Sequence, residues 1–221
     1  MSRRFMKVLV IGATVASALV SASTASAVNW SSNGSAAPGT AFSATAPTSR
    51  FEINVTNPSH QVGLSCSNAT MTGRVFGPTG PSNTGAWNSV ATLQPSYSSC
   101  TAAGQTGVMS CAEEQFDAVS QTSQVVTGNI RGINCTFTFW GCVLTFAGNL
   151  TGNTYNNITA VLTRSVSAGL NASWPNTAAC RSIMGTTGGG TAPMTWGTST
   201  SPPAPLSYTV TSVFKPSIQH N

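Results

Sequence analysis

The chain has 221 residues, and only 6% of them are charged, against about 25% in an ordinary soluble domain. Nine basic residues face four acidic ones, but Arg3, Arg4 and Lys7 sit in the N-terminal leader, so the rest carries six basic side chains. Such a surface cannot neutralise a phosphate backbone, which excludes nucleic acid as a partner. It relies on Ser, Thr, Asn and backbone amides for solubility, and suits neutral partners.

The leader opens with MSRRFMK, continues as an uncharged apolar run from Val8 to Val20, and ends in Ala25-Ser26-Ala27. This is the pattern of a secretory signal peptide over residues 1–27, cleaved before Val28. Its apolar core is too short for a bilayer, which takes roughly 20 residues. Ser-Arg-Arg-Phe resembles a twin-arginine signal but lacks the residue that separates the arginine pair from Phe, so the general secretory route is preferred. No later run is long enough for a transmembrane helix. The C-terminus, KPSIQHN, carries no sorting signal. A secreted protein, freely released or held non-covalently at the cell envelope, is expected.

Residues 28–50 mix Ser, Ala, Gly and Pro and read as a flexible N-terminal segment. From Phe51 to Gln219 the pattern is that of one β domain, followed by a two-residue tail at 220–221. In FEINVTN, the residues Phe51, Ile53 and Val55 alternate with Glu52, Asn54 and Thr56, as in a half-buried strand. His60, Val62, Leu64 and Cys66 repeat the alternation after a turn at 57–59. Further strand-like runs lie near 71–76, 90–93, 125–133, 135–146, 158–165 and 208–214. Gly-, Pro- and Asn-rich loops are expected at 77–85, 148–157 and 185–205, and a short helix around 112–120. Many short strands between turns argue an all-β domain, a single antiparallel β-sandwich or β-barrel.

Within CTFTFWGC, residues 135–142, the apolar residues are odd-numbered up to Phe139 and even-numbered from Cys142. A β-bulge at Trp140-Gly141 would restore one buried face. A two-residue hairpin there would do the same, but its turn demands positive φ at Trp140, so the bulge is preferred. In either case Cys135 and Cys142 lie about 13 Å or more apart at ~3.3 Å per residue. A disulfide requires Cα atoms within about 7 Å, so each must bond elsewhere. Six cysteines in an exported chain imply a disulfide framework.

LSCSNATMTG around Cys66, YSSC around Cys100, GNLTGNTYNN followed by ITAVLTRS, AAC at Cys180 and the closing SYTVTSVFKPSIQ together resemble secreted β-rich proteins of high-GC Gram-positive bacteria. The resemblance spans Phe51 to Gln219. It implies secretion and an all-β fold, and carries no assigned activity or site. That pattern uses four of these cysteines, with Cys111 and one of Cys135 or Cys142 as extras. From it the pairing Cys66–Cys100, Cys111–Cys135 and Cys142–Cys180 is expected.

For chemistry, the sequence offers little. His60 shares the apolar parity of Val62 and Leu64 and reads as structural, and no nucleophile elbow occurs. Glu113, Glu114 and Asp117 concentrate three of the four carboxylates. On a helix they would share a face, which suggests either a Ca²⁺ site or, if one carboxylate acted as a general acid or base, a hydrolase. Zinc spacing and phosphate motifs are absent, so no cofactor is implied. Trp87, Trp196 and Trp174 stand among small polar residues, the setting for stacking on a sugar or entering a protein partner. The leading expectation is a non-enzymatic envelope-associated binding or structural protein, its partner a cell-wall glycan or another envelope protein. Alternatives are a hydrolase using a carboxylate of 113–117 and a membrane-active β-barrel.

Overall fold

A computed structural model describes residues 30–34, 39–56, 59–77, 87–166, 169–198, 200 and 204–220; the expected leader and most of the expected loop at 77–85 lie outside them. The elements are β1 (Trp30–Ser32), β2 (Thr40–Ala46), β3 (Ser49–Thr56), β4 (Ser59–Val75), β5 (Trp87–Ala102), β6 (Gln105–Cys111), β7 (Glu114–Thr122), β8 (Val125–Phe139), β9 (Cys142–Asn156), β10 (Val161–Arg164), β11 (Leu170–Trp174), α1 (Ala178–Met184), β12 (Gly190–Thr198), β13 (Leu206–Val210) and β14 (Ile218–His220). The fold is all-β and antiparallel with one short helix.

Four strands are long: β4, β5, β8 and β9 have 17, 16, 15 and 15 residues. Between them lie pairs of short strands that act as broken long ones. β2 and β3 both pair with β4, β6 and β7 both with β5 and β8, and β10 and β11 both with β9. β12 and β13 then join β11 and β10 to β3 and β2. These ladders join the strands into one barrel-like antiparallel sheet that does not form a closed barrel.

The breaks lie at one level. Ala46 pairs with Ala69 and Ser49 with Cys66, so the β2/β3 break at Pro47-Thr48 lies opposite Ser67-Asn68. At the same level each long strand has two successive exposed residues, Ser67-Asn68, Ser98-Ser99, Arg131-Gly132 and Thr151-Gly152, and the buried parity flips across them. In β4, for example, Val62, Leu64 and Cys66 give way to Ala69, Met71 and Val75. Ser99, Gly132 and Gly152 adopt φ of 51°, 74° and 70°, the backbone of an extra residue that re-aims the strand. This waist divides the molecule into two halves.

The half built from β3, β6, β11, β12 and the adjoining ends of the long strands holds all three disulfides and is called the stapled half. They are Cys66–Cys100 across β4 and β5, Cys111–Cys135 across β6 and β8, and Cys142–Cys180 from β9 to α1, the pairing drawn from the resemblance. Phe51 stacks on Trp196 at 5.0 Å and on Phe146 at 5.7 Å in its core. The other half, built from β2, β7, β10 and β13, is covered at its end by a separate two-stranded sheet of β1 and β14, and is called the lidded half. Outward positions are hydroxyl-rich: Ser110, Thr136, Thr145, Ser173 and Thr191 form one row across five strands, a favourable cross-strand arrangement on a solvated face.

Several expectations are corrected. Residues 112–120 are not helical: from Glu114 they form β7, with Glu114, Phe116 and Ala118 pointing inward, because tertiary pairing with β5 and β8 overrides the local acidic pattern. Trp140-Gly141 is a hairpin turn and not a bulge. Phe139 pairs with Cys142, and Trp140 and Gly141 take φ of 46° and 76°. The long β8–β9 ladder holds Trp140 in a conformation that an isolated Trp disfavours. The segment 28–50 is not simply flexible, since it contributes β1, β2 and the first residues of β3. The expected loop at 148–157 mostly continues β9, and that at 185–205 contains β12. The helix lies instead at 178–184, where Thr177 Oγ1 accepts from the Cys180 amide at 3.2 Å and Gly185 at φ 59° ends it.

Candidate functional site

Among the described residues two clusters depart from an apolar interior with a hydroxyl surface, beside single positions such as buried Asn153 and exposed Ile158 and Val213. The first is a buried polar cluster at the waist. Arg164 ends β10 and is 1% exposed; it reaches Glu114, 0% exposed, at the start of β7. Its Nη1 donates to Glu114 Oε1 at 3.3 Å and its Nη2 to Oε2. The guanidinium lies 4.3 Å over the Trp196 ring and 5.4 Å from that of Tyr208, so two aromatic faces add cation–π attraction. The Tyr208 hydroxyl in turn meets that of Tyr97 at 2.9 Å.

Burial raises the Glu114 carboxyl above the usual carboxylate range, outweighing the opposing pull of Arg164. Burial likewise raises the Tyr97 and Tyr208 hydroxyls. Desolvation alone would lower Arg164, but Glu114 and the two phenols together raise it, so the guanidinium stays charged. Arg164 Nε, Trp196 Nε1 and Ser49 Oγ are buried without a hydrogen-bond partner among the described residues. Each such atom costs about 1–3 kcal/mol. The cluster is closed off from solvent and offers no entry to a substrate.

The second region is the tip of the stapled half. Trp140 is 68% exposed on the β8–β9 turn, next to disulfide-bonded Cys142. Val108 on β6, Thr138 on β8 and Val143 on β9 form an outward row beneath it, and both valines are exposed. Val143 also lines a shallow groove of about 340 Å³ with Thr145, Ser173, Trp174 and Pro175. Trp174 is fixed from behind, its indole N–H donating to Thr186 Oγ1 and the Gly188 carbonyl, both at 3.3 Å.

The structure places the sequence candidates differently from their sequence reading. Trp196 is 2% exposed in the core and has no face to offer a ligand. Trp174 is buried except where it walls the groove, and half-buried Trp87 packs on the core. The three carboxylates do not converge, because a strand, unlike a helix, sends them apart. Glu114 points inward, while Asp117, 4% exposed, is covered by its own partners, Arg131 and the Ser89 amide at 2.6 Å. Glu113 is exposed. Among the described residues no group of three or more His, Cys, Asp or Glu could hold a metal ion.

Sequence reasoning missed Trp140 and the Glu114–Arg164 pair. For the pair a signal existed: Arg164 shares the parity of Leu162, and Glu114 that of Phe116. For Trp140 the signal was the mirror symmetry of Phe137-Thr-Phe139 and Cys142-Val-Leu144 about Trp-Gly. Comparison of the chain with protein-family models, with curated protein sequences and with solved structures finds no match.

Proposed function

We propose that this is a secreted, non-enzymatic, envelope-associated binding protein that recognises neutral glycan through the tip of its stapled half. The observation that carries this reading is Trp140, a large aromatic left exposed at φ 46° on a two-residue turn. Backbone strain of about 1–3 kcal/mol is retained where surrounding structure enforces it and the position has a use. An exposed indole on the same end as the groove of Thr145, Ser173 and Trp174 supplies a stacking surface near neutral hydroxyl partners, which is what a sugar needs. The Cys142–Cys180 disulfide beside the turn helps to keep that surface preorganised, which reduces the ordering cost of binding.

The carboxylates count against the hydrolase reading: Glu114 and Asp117 are each committed to an arginine. The outward Ser/Thr rows count against the membrane-active reading, since a lipid-facing barrel needs an apolar outer band. No helix among the described residues is long and apolar enough to cross a membrane.

The test is retention of the oxidised secreted protein on isolated cell-wall glycan, with liposomes as control. Trp140→Ala should reduce glycan retention at least tenfold, and Trp87→Ala should leave it unchanged. Equal retention of wild type and Trp140→Ala would overturn the assignment.

A further inference from the structure

We propose that the lidded half is a binding site for a single aliphatic chain, entered beneath the β1–β14 lid. An internal cavity runs from Met71, next to the Arg164 guanidinium, between Phe42, Phe116 and Leu162 to Pro216 and Ile218 of the lid. It presents no polar surface, so whatever occupies it has no hydrogen-bonding group at depth. As closed, it measures about 20 Å³, enough for a group of about the size of one water or methyl. A longer occupant enters only if the lid withdraws Ile218 and Pro216. Both belong to the apolar lining, so a chain that takes their place meets only apolar side chains.

The lid is built to be separable. β14 pairs only with β1, and this two-stranded sheet makes no ladder with the barrel. It is fastened by side chains instead. Asn157 exchanges two hydrogen bonds with Ile218 at 2.7 and 2.9 Å, Tyr155 Oη donates to the Pro216 carbonyl at 2.6 Å, and Gln121 Oε1 accepts from the His220 amide at 2.6 Å. Ser32 Oγ also donates to the Phe76 carbonyl and Gln121 Nε2 to Gln219 Oε1 at 3.2 Å, and Trp30 and Ile218 are buried against the core, so opening the end breaks side-chain bonds and apolar packing but no ladder of the large sheet. The amide groups of Asn157 and Gln121 then ring the mouth, where the polar end of an amphiphile would remain in contact with water.

Straight-chain alkanols from hexanol to decanol, titrated by calorimetry into the oxidised protein, test this. Saturable one-to-one binding is expected, tightening about fourfold per methylene until the chain reaches Met71. Ala44→Leu overfills the cavity; it should abolish binding and also lower the melting temperature, since overpacking a core is destabilising. If that variant does not fold, Ala91→Val fills the same space more gently. Asn157→Ala should raise the association rate, and an unchanged rate contradicts entry beneath the lid. Absence of saturable binding, no dependence on chain length, or full affinity in a folded filled variant would overturn the proposal. Trp140→Ala should leave alkanol binding unchanged; loss in that variant would place the alkanol at the tip and also overturn it.

Discussion

The two halves of this barrel-like sheet share four continuous strands yet are held together by different means. The stapled half ties β4 to β5, β6 to β8 and β9 to α1 by disulfides, and uses the rigidity to hold an exposed Trp140 on a tight turn. The lidded half has none among its described residues. It relies on apolar packing, on the waist pair Glu114–Arg164 and on a terminal lid fastened by side-chain amides. Covalent bridges stabilise by restricting the unfolded chain and need no large core, so they suit an end that exposes apolar surface. A packed half with a lid can open locally, and low-stability elements are where access to an interior is found.

Reduction should have the largest effect and should fall first on the stapled half. Each bridge contributes about 2–4 kcal/mol, so loss of three approaches the total stability of about 5–15 kcal/mol typical of a domain. The reduced protein is expected to lose its near-ultraviolet circular dichroism at 37 °C. Retention of that signal would mean that packing alone sustains the stapled half.

Alkaline pH should act on the waist and the lidded half. Tyr97, Tyr155 and Tyr208 are the only three tyrosines, and burial raises all three hydroxyls above their ordinary value near 10.0. A folded-state pKa above the unfolded one means that the unfolded chain gives up protons more readily. Stability is therefore complete below about pH 10 and is lost as pH rises through the raised values. Phenolate absorbance should then appear in one step that coincides with unfolding. A gradual titration near pH 10 with the fold intact would contradict the buried geometry.

At the waist, Arg164→Met should destabilise by about 3–5 kcal/mol, because it leaves Glu114 buried and unpaired, whereas adding Glu114→Leu should restore most of the loss. Denaturant midpoints of the single and double variants measure both. Equal loss in the two would mean that the pair matters for packing and not for charge. Smaller still, replacing Cys111 and Cys135 together by Ala should cost about 2–4 kcal/mol. Amide exchange should then increase along β6 and the adjoining end of β8 while β7 stays protected.

The all-β class was legible because alternation in FEINVTN and HQVGLSC is a local signal that the ladders merely satisfy. The waist was not. Each long strand changes parity midway, at positions such as Ser98-Ser99 and Thr151-Gly152, and a reading that expects unbroken alternation ends a strand where the chain only bulges. The loops expected at 148–157 and 185–205 failed for the same reason, since Gly and Asn mark bulges in β9 and tight strand contacts in β12 as readily as turns. The acidic run at 113–117 misled because helical spacing was assumed for residues whose neighbours make them a strand. Trp196 misled because polar sequence neighbours on one face of a strand say nothing about the other. The hairpin turn at Trp140-Gly141 ranked second to a bulge because of local strain at Trp140, which the β8–β9 ladder overcomes.

The most direct measurement of the central claim, that the stapled half holds a strained aromatic in place for recognition, combines stability and binding in Trp140→Asn. Asn tolerates positive φ far better than Trp, so this variant should be more stable by about 1 kcal/mol and at the same time lose retention on cell-wall glycan. A variant that is no more stable, or that binds as well as the wild type, would contradict the claim.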